Sequence, residues 1–305
     1  MEETISKALI LVSFILSGYA LKQAGIFSRQ SFETISSIVF RITLPAAIIV
    51  NLNGVHFELN YLWISVVAIV FNFLYIGMGY VLGRDREEKS FLMLNLNGFN
   101  IGNFALPFVS YFFDKAAVLI VCLFDAGNSI MCMGMGYGLA AYVRGHNDGE
   151  NVFKMLGKIL LTSAPVLAYG SMILLAIAGL QLPDIVIQWA KIPASANTFL
   201  SMLMIGVALG VSLKPEFIQL VTKNLVGRLA GSAVMAGIAY MLPYTMDIRK
   251  VIIILSFAPI AGMACYFTAK MKANIQVAAC ISSLSILISI VIMSTLIIVL
   301  SHLVG

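Results

Sequence analysis

Charge is what this sequence has least of. Only 11% of its residues are charged and 60% are apolar, whereas a soluble domain carries about 25% charged residues. With a mean hydropathy of +0.98, the chain reads as an integral membrane protein whose core lies largely against the lipid bilayer. The formal net charge of +5 sits in short loops between apolar runs, so it is not a nucleic-acid surface and no nucleic-acid partner is expected. Histidine is scarce as well. His56, His146 and His302 fall in loops or at the chain end, which argues against a metal site. The cysteines Cys122, Cys132, Cys265 and Cys280 all lie inside apolar runs. They show neither metal-ligand nor disulfide spacing and read as small packing residues. No GxxxxGK[ST] loop is present to bind ATP, no HExxH, no paired intramembrane aspartates and no Ser/His pair at depth. An enzyme is not expected, and no cofactor beyond a possible coupling H+ or Na+. The start, MEETISK, is acidic, and no small-residue cleavage site follows the apolar run 8–21. That run is read as a first span, not a signal peptide.

What the chain has is apolar length. At about 20 residues per crossing, it divides into ten spans near 4–22, 32–53, 60–82, 89–112, 115–143, 155–179, 185–211, 222–243, 249–269 and 274–301. The fifth is long enough to be tilted or partly outside the membrane. The seventh starts ambiguously at Trp189, Lys191 and Pro193. No loop is large enough to be a domain, and the longest, 144–154, is a solvated connector. The expected fold is all-α, with ten transmembrane helices in two five-helix halves, 1–143 and 155–305. Loops after the odd spans hold 13 of the Lys and Arg residues, counting Lys223 and Arg228, against 5 on the other side. The positive-inside rule puts the richer side in the cytoplasm of a plasma (inner) membrane and both termini outside.

The stretch 95–107, NLNGFNIGNFALP, interrupts the fourth span with Asn95, Asn97, Asn100, Asn103, Gly98, Gly102 and Pro107. Unsatisfied amides in hydrocarbon cost several kcal/mol each, while glycine and proline loosen a helix. A proline-kinked helix whose amides bond its neighbours is one reading. We favour a broken helix lining a polar site, because amides, glycines and proline coincide at mid-membrane. The ninth span, VIIILSFAPIAGMACYFTAK, carries Pro259 and Gly262 near its middle. Both are fourth spans of their halves, and five spans per half turns the second upside down. The expectation is a pair of inverted repeats with broken crossover helices 4 and 9. Pro45 of span 2 then corresponds to Pro193 or the Thr198 region of span 7. The half-helices after the breaks would aim free N–H groups at an anion, and those before them free carbonyls at a cation. Asn100 and Asn103 suit a carboxylate or a water equally.

Two charges are read inside spans. Asp125 lies about 15 Å deep at roughly 1.5 Å per residue, and is followed by Asn128. It is either a proton-coupling carboxylate or a structural one paired to a neighbour such as Arg41. Arg41 has the charge to bind an anion, but snorkelling or pairing is favoured. The run Gly134–Gly136–Gly138 reads as close helix packing, and Met131, Met133 and Met135 as core filler.

These residues resemble the auxin efflux carrier (AEC) family of the bile acid/auxin transporter superfamily. VFRITLPAAIIVNL (39–52) is similar to its leucine-proline span, and NIGNFALPF (100–108) to its first crossover, with Asn100, Gly102 and Pro107 matching. Pro259 and Ala261 match the start of the second crossover, and 267–290 resembles the family's ending. The chain departs from the pattern at Ala105, at Met263 and at Asn197-Thr198-Phe199. The resemblance implies scaffold and transport subdomains, elevator-like alternation, often a homodimer, and organic acids such as malate, malonate or indole acetate as substrates. It implies substrate contact at Asn100 and at backbone near Pro107 and Pro259. With Asn103, Gly102, Ala261 and Gly262 these form the expected substrate site for a small organic anion. A sodium-coupled bile-acid-like symporter and a non-transporting membrane sensor are the alternatives.

Overall fold

The computed structural model describes residues 2–55, 58–145, 151–210 and 214–302. His56, His146 and the middle of the 144–154 connector lie outside the described residues. Among those residues there are helices and turns and no strand; one antiparallel bridge joins Phe99 to Ile260.

The chain opens with α1 (Glu2–Gln23), α2 (Arg29–Ile38), α3 (Leu44–Leu52), α4 (Trp63–Leu82) and α5 (Arg86–Leu96). It continues through α6 (Leu106–Phe112), α7 (Lys115–Ile130), α8 (Gly136–Arg144), α9 (Val152–Thr162) and α10 (Ala164–Ile177). It closes with α11 (Asp184–Ala208), α12 (Ile218–Met241), α13 (Met246–Ser256), α14 (Met263–Lys270) and α15 (Ile275–His302). Local chemistry sets several boundaries. Ser28 and Ser31 form a capping box at α2, Asp85 caps α5 and Asp114 caps α7. A π turn precedes Pro45 (Val39–Thr43) and another precedes Pro107 (Ile101–Ala105). Each proline thus enters the first turn of its helix, where its missing N–H costs nothing.

Five helical stretches are long and apolar enough to cross a membrane: Ile5–Gln23, Gln30–Leu52, Leu59–Leu82, Lys115–Arg144 and Ile275–Leu300. They face outward with large apolar side chains such as Leu16, Trp63, Val81 and Val291. An all-α architecture of this kind is compatible with a multi-pass membrane protein. The 115–144 stretch is interrupted by a π turn at Met131–Met135, where α7 passes into α8.

The helices pack in two groups. α1 lies along α11, which also packs on α3, and α10 packs on α3. In the second group α4 packs on α5 and α7, α12 on α13, and α5 on α8. The groups meet where α7 touches α3 and α10, and where α6 touches α1 and α11.

Candidate functional site

Helix α5 stops at Leu96 because Asn97 turns extended (φ −72, ψ 154) and Gly98 takes φ +83, a conformation that favours glycine. A Cβ at Gly98 would also sit 3.0 Å from Cβ of Ala261. Phe99 then runs antiparallel to Ile260, and the Asn100 N–H donates to the Pro259 carbonyl at 2.8 Å. The second break, between α13 and α14, supplies Phe257, Ala258 and Pro259 to this crossing. Two helices therefore interrupt each other at one point and resume as α6 and α14.

Backbone freed at such a point needs partners. The Gly98 N–H donates to Asn72 Oδ1 at 2.8 Å. Asn128 holds both sides of Phe99: its Oδ1 accepts the Phe99 N–H at 2.9 Å and its Nδ2 donates to the Phe99 carbonyl at 2.8 Å. The Ile260 N–H donates to Ser285 Oγ at 3.2 Å. The carbonyl ends are gathered by one side chain, Arg228, which donates to Leu96 O and, at 3.0 Å, to Ala258 O. Asn95 donates to Phe91 O and to Thr268 Oγ1 at 3.1 Å, tying α5 to α14.

A cavity of about 240 Å³ lies against this crossing. Asn100, Ile101, Gly102 and Asn103 line it from the first break and the π turn that follows, and Ala261, Gly262 and Met263 from the second break and the start of α14. The wall opposite comes from the other helix group, through Phe40, Leu44, Pro165, Tyr169 and Met204. Asp125 and Asn128 lie at the seam. The Asp125 carboxylate accepts from Asn128 Nδ2 at 3.0 Å and from the Tyr169 hydroxyl at 3.0 Å, so it is bonded to both helix groups. Asn103 Oδ1 is buried without a protein partner. A second cavity of about 400 Å³ shares Phe32 and Gly262 with the first and has Lys22 in its wall. A third, of about 620 Å³, is lined by Asp114, Asp247 and Lys250 and shares no residue with the first.

Of the residues singled out from sequence, Asn100, Gly102, Asn103, Asp125, Asn128, Ala261 and Gly262 all line the one cavity. Pro259 stands behind it and contributes its carbonyl to Asn100. Pro107 is buried in α6 and does not line it. Arg41 does not pair with Asp125: it is exposed on the π turn before α3, and the carboxylate takes its bonds from Asn128 and Tyr169. The four amides divide. Asn95 is a buried joint between helices and Asn97 is buried with its Oδ1 unpartnered, whereas Asn100 and Asn103 face the cavity. The carbonyl ends expected to await a cation are occupied by Arg228, which is not a loop residue. It lies deep in α12 and is 4% exposed. Gly136 does pack closely, since a Cβ there would land on the Asn97 amide. Cys132, read as a packing residue, and Met133, read as core filler, both line the cavity. Tyr169, Asn72, Ser285 and Arg228 escaped the reading of the sequence. A lone amide inside span 3 was the available signal for Asn72, and an arginine inside an apolar stretch for Arg228; a span tyrosine or serine carries none.

No protein-family model matches this chain, and no curated protein matches it.

Proposed function

We propose that the chain is a secondary carrier for a small organic anion, built of ten spans in two inverted five-helix repeats and working by elevator-like alternating access. The observation that carries the reading is the cavity at the crossing of two broken helices. Helix starts leave N–H groups without intrahelical partners and concentrate about half a positive charge. Two of them line one cavity here, together with amide side chains that donate and accept. Its volume suits a molecule of a few carbon atoms. The buried, unpartnered Asn103 Oδ1 fits a hydroxyl or a protonated carboxyl on the ligand.

Bonds between helix ends support the topology. Glu87 pairs with Arg144 at 3.4 Å, Glu88 with Lys223, and Lys22 donates to the Leu209 carbonyl at 2.7 Å. All of these join ends assigned to the lysine-rich side. Across the molecule, the Leu182 N–H donates to Asn53 at 2.8 Å and Tyr244 to the Asn60 carbonyl at 3.1 Å, joining ends assigned to the other side. Repeat symmetry is supported by matched contacts. Phe99 and Ile260 face each other and take side-chain partners from the fifth and tenth spans, Asn128 and Ser285. Thr43 of span 2 donates to Asn197 of span 7 at 2.9 Å.

The site lies between the two helix groups, where sliding of one group past the other would carry it across the membrane. The Lys22 cavity adjoins it on the side that this reading assigns to the cytoplasm, where Lys22 would raise the local anion concentration. Counterflow of labelled small organic acids in proteoliposomes tests the reading, comparing the native chain with Asn100→Ala. Saturable exchange of one acid, reduced at least tenfold in the variant, is the expected result. Folded native protein that exchanges no mono-, di- or indole carboxylate would overturn the carrier reading. Exchange indifferent to the substitution would move the site away from the first break.

A further inference from the structure

Arg228 is a full positive charge inside the α12 helix, 4% exposed, and none of the ion pairs among the described residues includes it. An unpaired arginine at that depth is costly, so its surroundings must supply the compensation. Its guanidinium spans the two broken helices, donating to the carbonyl of Leu96, the last residue of α5, and to that of Ala258, just past the end of α13. Its plane is covered by two aromatic faces, with Cζ 4.1 Å from the Tyr75 ring centre and 4.4 Å from that of Phe99. Tyr75 in turn bonds the Arg228 carbonyl and the Ser232 hydroxyl, which fixes α4 to α12 at this level. Each helix C-terminus carries roughly half a negative charge. Two of them converging on one spot sum to about one, which a single guanidinium neutralises.

Broken-helix carriers use such converging carbonyl ends to bind the coupling cation. We propose that Arg228 is a covalently attached replacement for that cation: it permanently fills the cation position between α5 and α13, so the crossing is assembled without sodium. The guanidinium does not line the substrate cavity. It lies behind the Phe99–Ile260 bridge, beside a void of about 20 Å³ with room for one water at its unpartnered Nε. It is therefore a positioning residue. It holds the two carbonyl ends together while the helix starts on the other side remain available to an anion. Arginine suits the task better than lysine, because its fork reaches two carbonyls at once and its flat face stacks on rings. The meaning of this assignment rests on the carrier reading; its test does not.

The test is thermal unfolding of the purified full chain in detergent, in choline, sodium, potassium and low, non-denaturing guanidinium chlorides at equal ionic strength. The native midpoint should be the same in choline and sodium. Arg228→Ala should melt at least about 5 °C lower in choline and recover saturably with guanidinium or sodium. A variant as stable as the native chain, or one that no cation restores, would overturn the proposal. So would saturable sodium stabilisation of the native chain. If Arg228→Ala does not fold, Arg228→Lys decides. It keeps the charge and should stay indifferent to sodium, and a sodium response gained by it would refute the replacement. Because the readout is melting, absence of flux would sink the carrier reading and leave this result standing.

Discussion

At the first break, Asn72 and Asn128 grip the peptide on both sides of Phe99, and Asn100 and Asn103 face the cavity. At the second, one serine holds the Ile260 N–H, and the cavity meets only Ala261, Gly262 and Met263. Gly98 is crowded and in a left-handed conformation, while a Cβ on Gly262 would meet open space. The two crossings share a geometry but not a chemistry. The first break presents amide side chains to the cavity. The second presents bare backbone to it. Arg228 belongs to both, bonding one carbonyl from each, so the asymmetry is confined to the cavity side.

The sharpest way to break that comparison is Asn128→Leu. The change keeps the side chain's branched shape but leaves the buried Phe99 N–H without a partner, at about 1–3 kcal/mol, while the Phe99 carbonyl keeps only the Ile101 N–H at 2.9 Å. It also takes a donor from Asp125. Thermal melting should show the largest loss of any single change at the crossing, and counterflow should vanish. A variant that melts like the native chain would mean the first break does not depend on its amides. Next in size is Gly98→Ala, at about 1–2 kcal/mol for the left-handed backbone alone, set against Gly262→Ala. The latter should leave the melting midpoint within error yet weaken substrate affinity, since its methyl enters the cavity. Equal melting of the two would remove the distinction between crowded and open breaks. Ser285→Ala should cost about 1 kcal/mol, clearly less than Asn128→Leu. A matching cost would show that the second break relies on side chains as heavily as the first.

The helical, apolar class of the fold was legible from composition and run length, and the 97–100 irregularity from glycine and amides inside an apolar run. Its position was less legible. The proline suggested a break just before residue 107, but a proline in the first turn of a helix is neutral, so the chain unwinds seven or more residues earlier, where Gly98 allows it. Asp125 could be placed at depth by counting, but its partners could not. Tyr169 comes from a helix 44 residues away in sequence, and hydroxyls are common in spans. Arg228 was hidden by a boundary. Reading the eighth span from residue 222 puts it near an edge, whereas α12 begins at Ile218, so Arg228 lies about 15 Å from the helix start. Distance along a helix axis decides whether a charge is a loop charge or a buried one, and that length depends on a start that hydropathy alone blurs.

The smallest expected effect compares the outer starts of the two broken helices. At α5, Glu88 pairs with Lys223 of α12 and accepts the Arg84 N–H at 3.1 Å. At α13, Lys250 meets Asp247 only at 3.8 Å, and Asp247 is largely exposed. Burial alone would raise the Glu88 carboxyl, but the bonds and charges of Lys223 and Arg84 outweigh it, holding the group below its ordinary 4.5. A carboxyl held low stabilises the folded state above its ordinary range and loses that contribution as pH falls through the lowered value. Glu88→Gln should therefore cost up to about 1 kcal/mol near neutrality, with the difference from the native chain closing at acid pH. Asp247→Asn should change nothing measurable at either pH. Melting midpoints across a pH series separate the two. If Glu88→Gln shows a gap that persists into acid, Glu88 acts through packing and not charge, and the first helix owes nothing to its ion pair with α12.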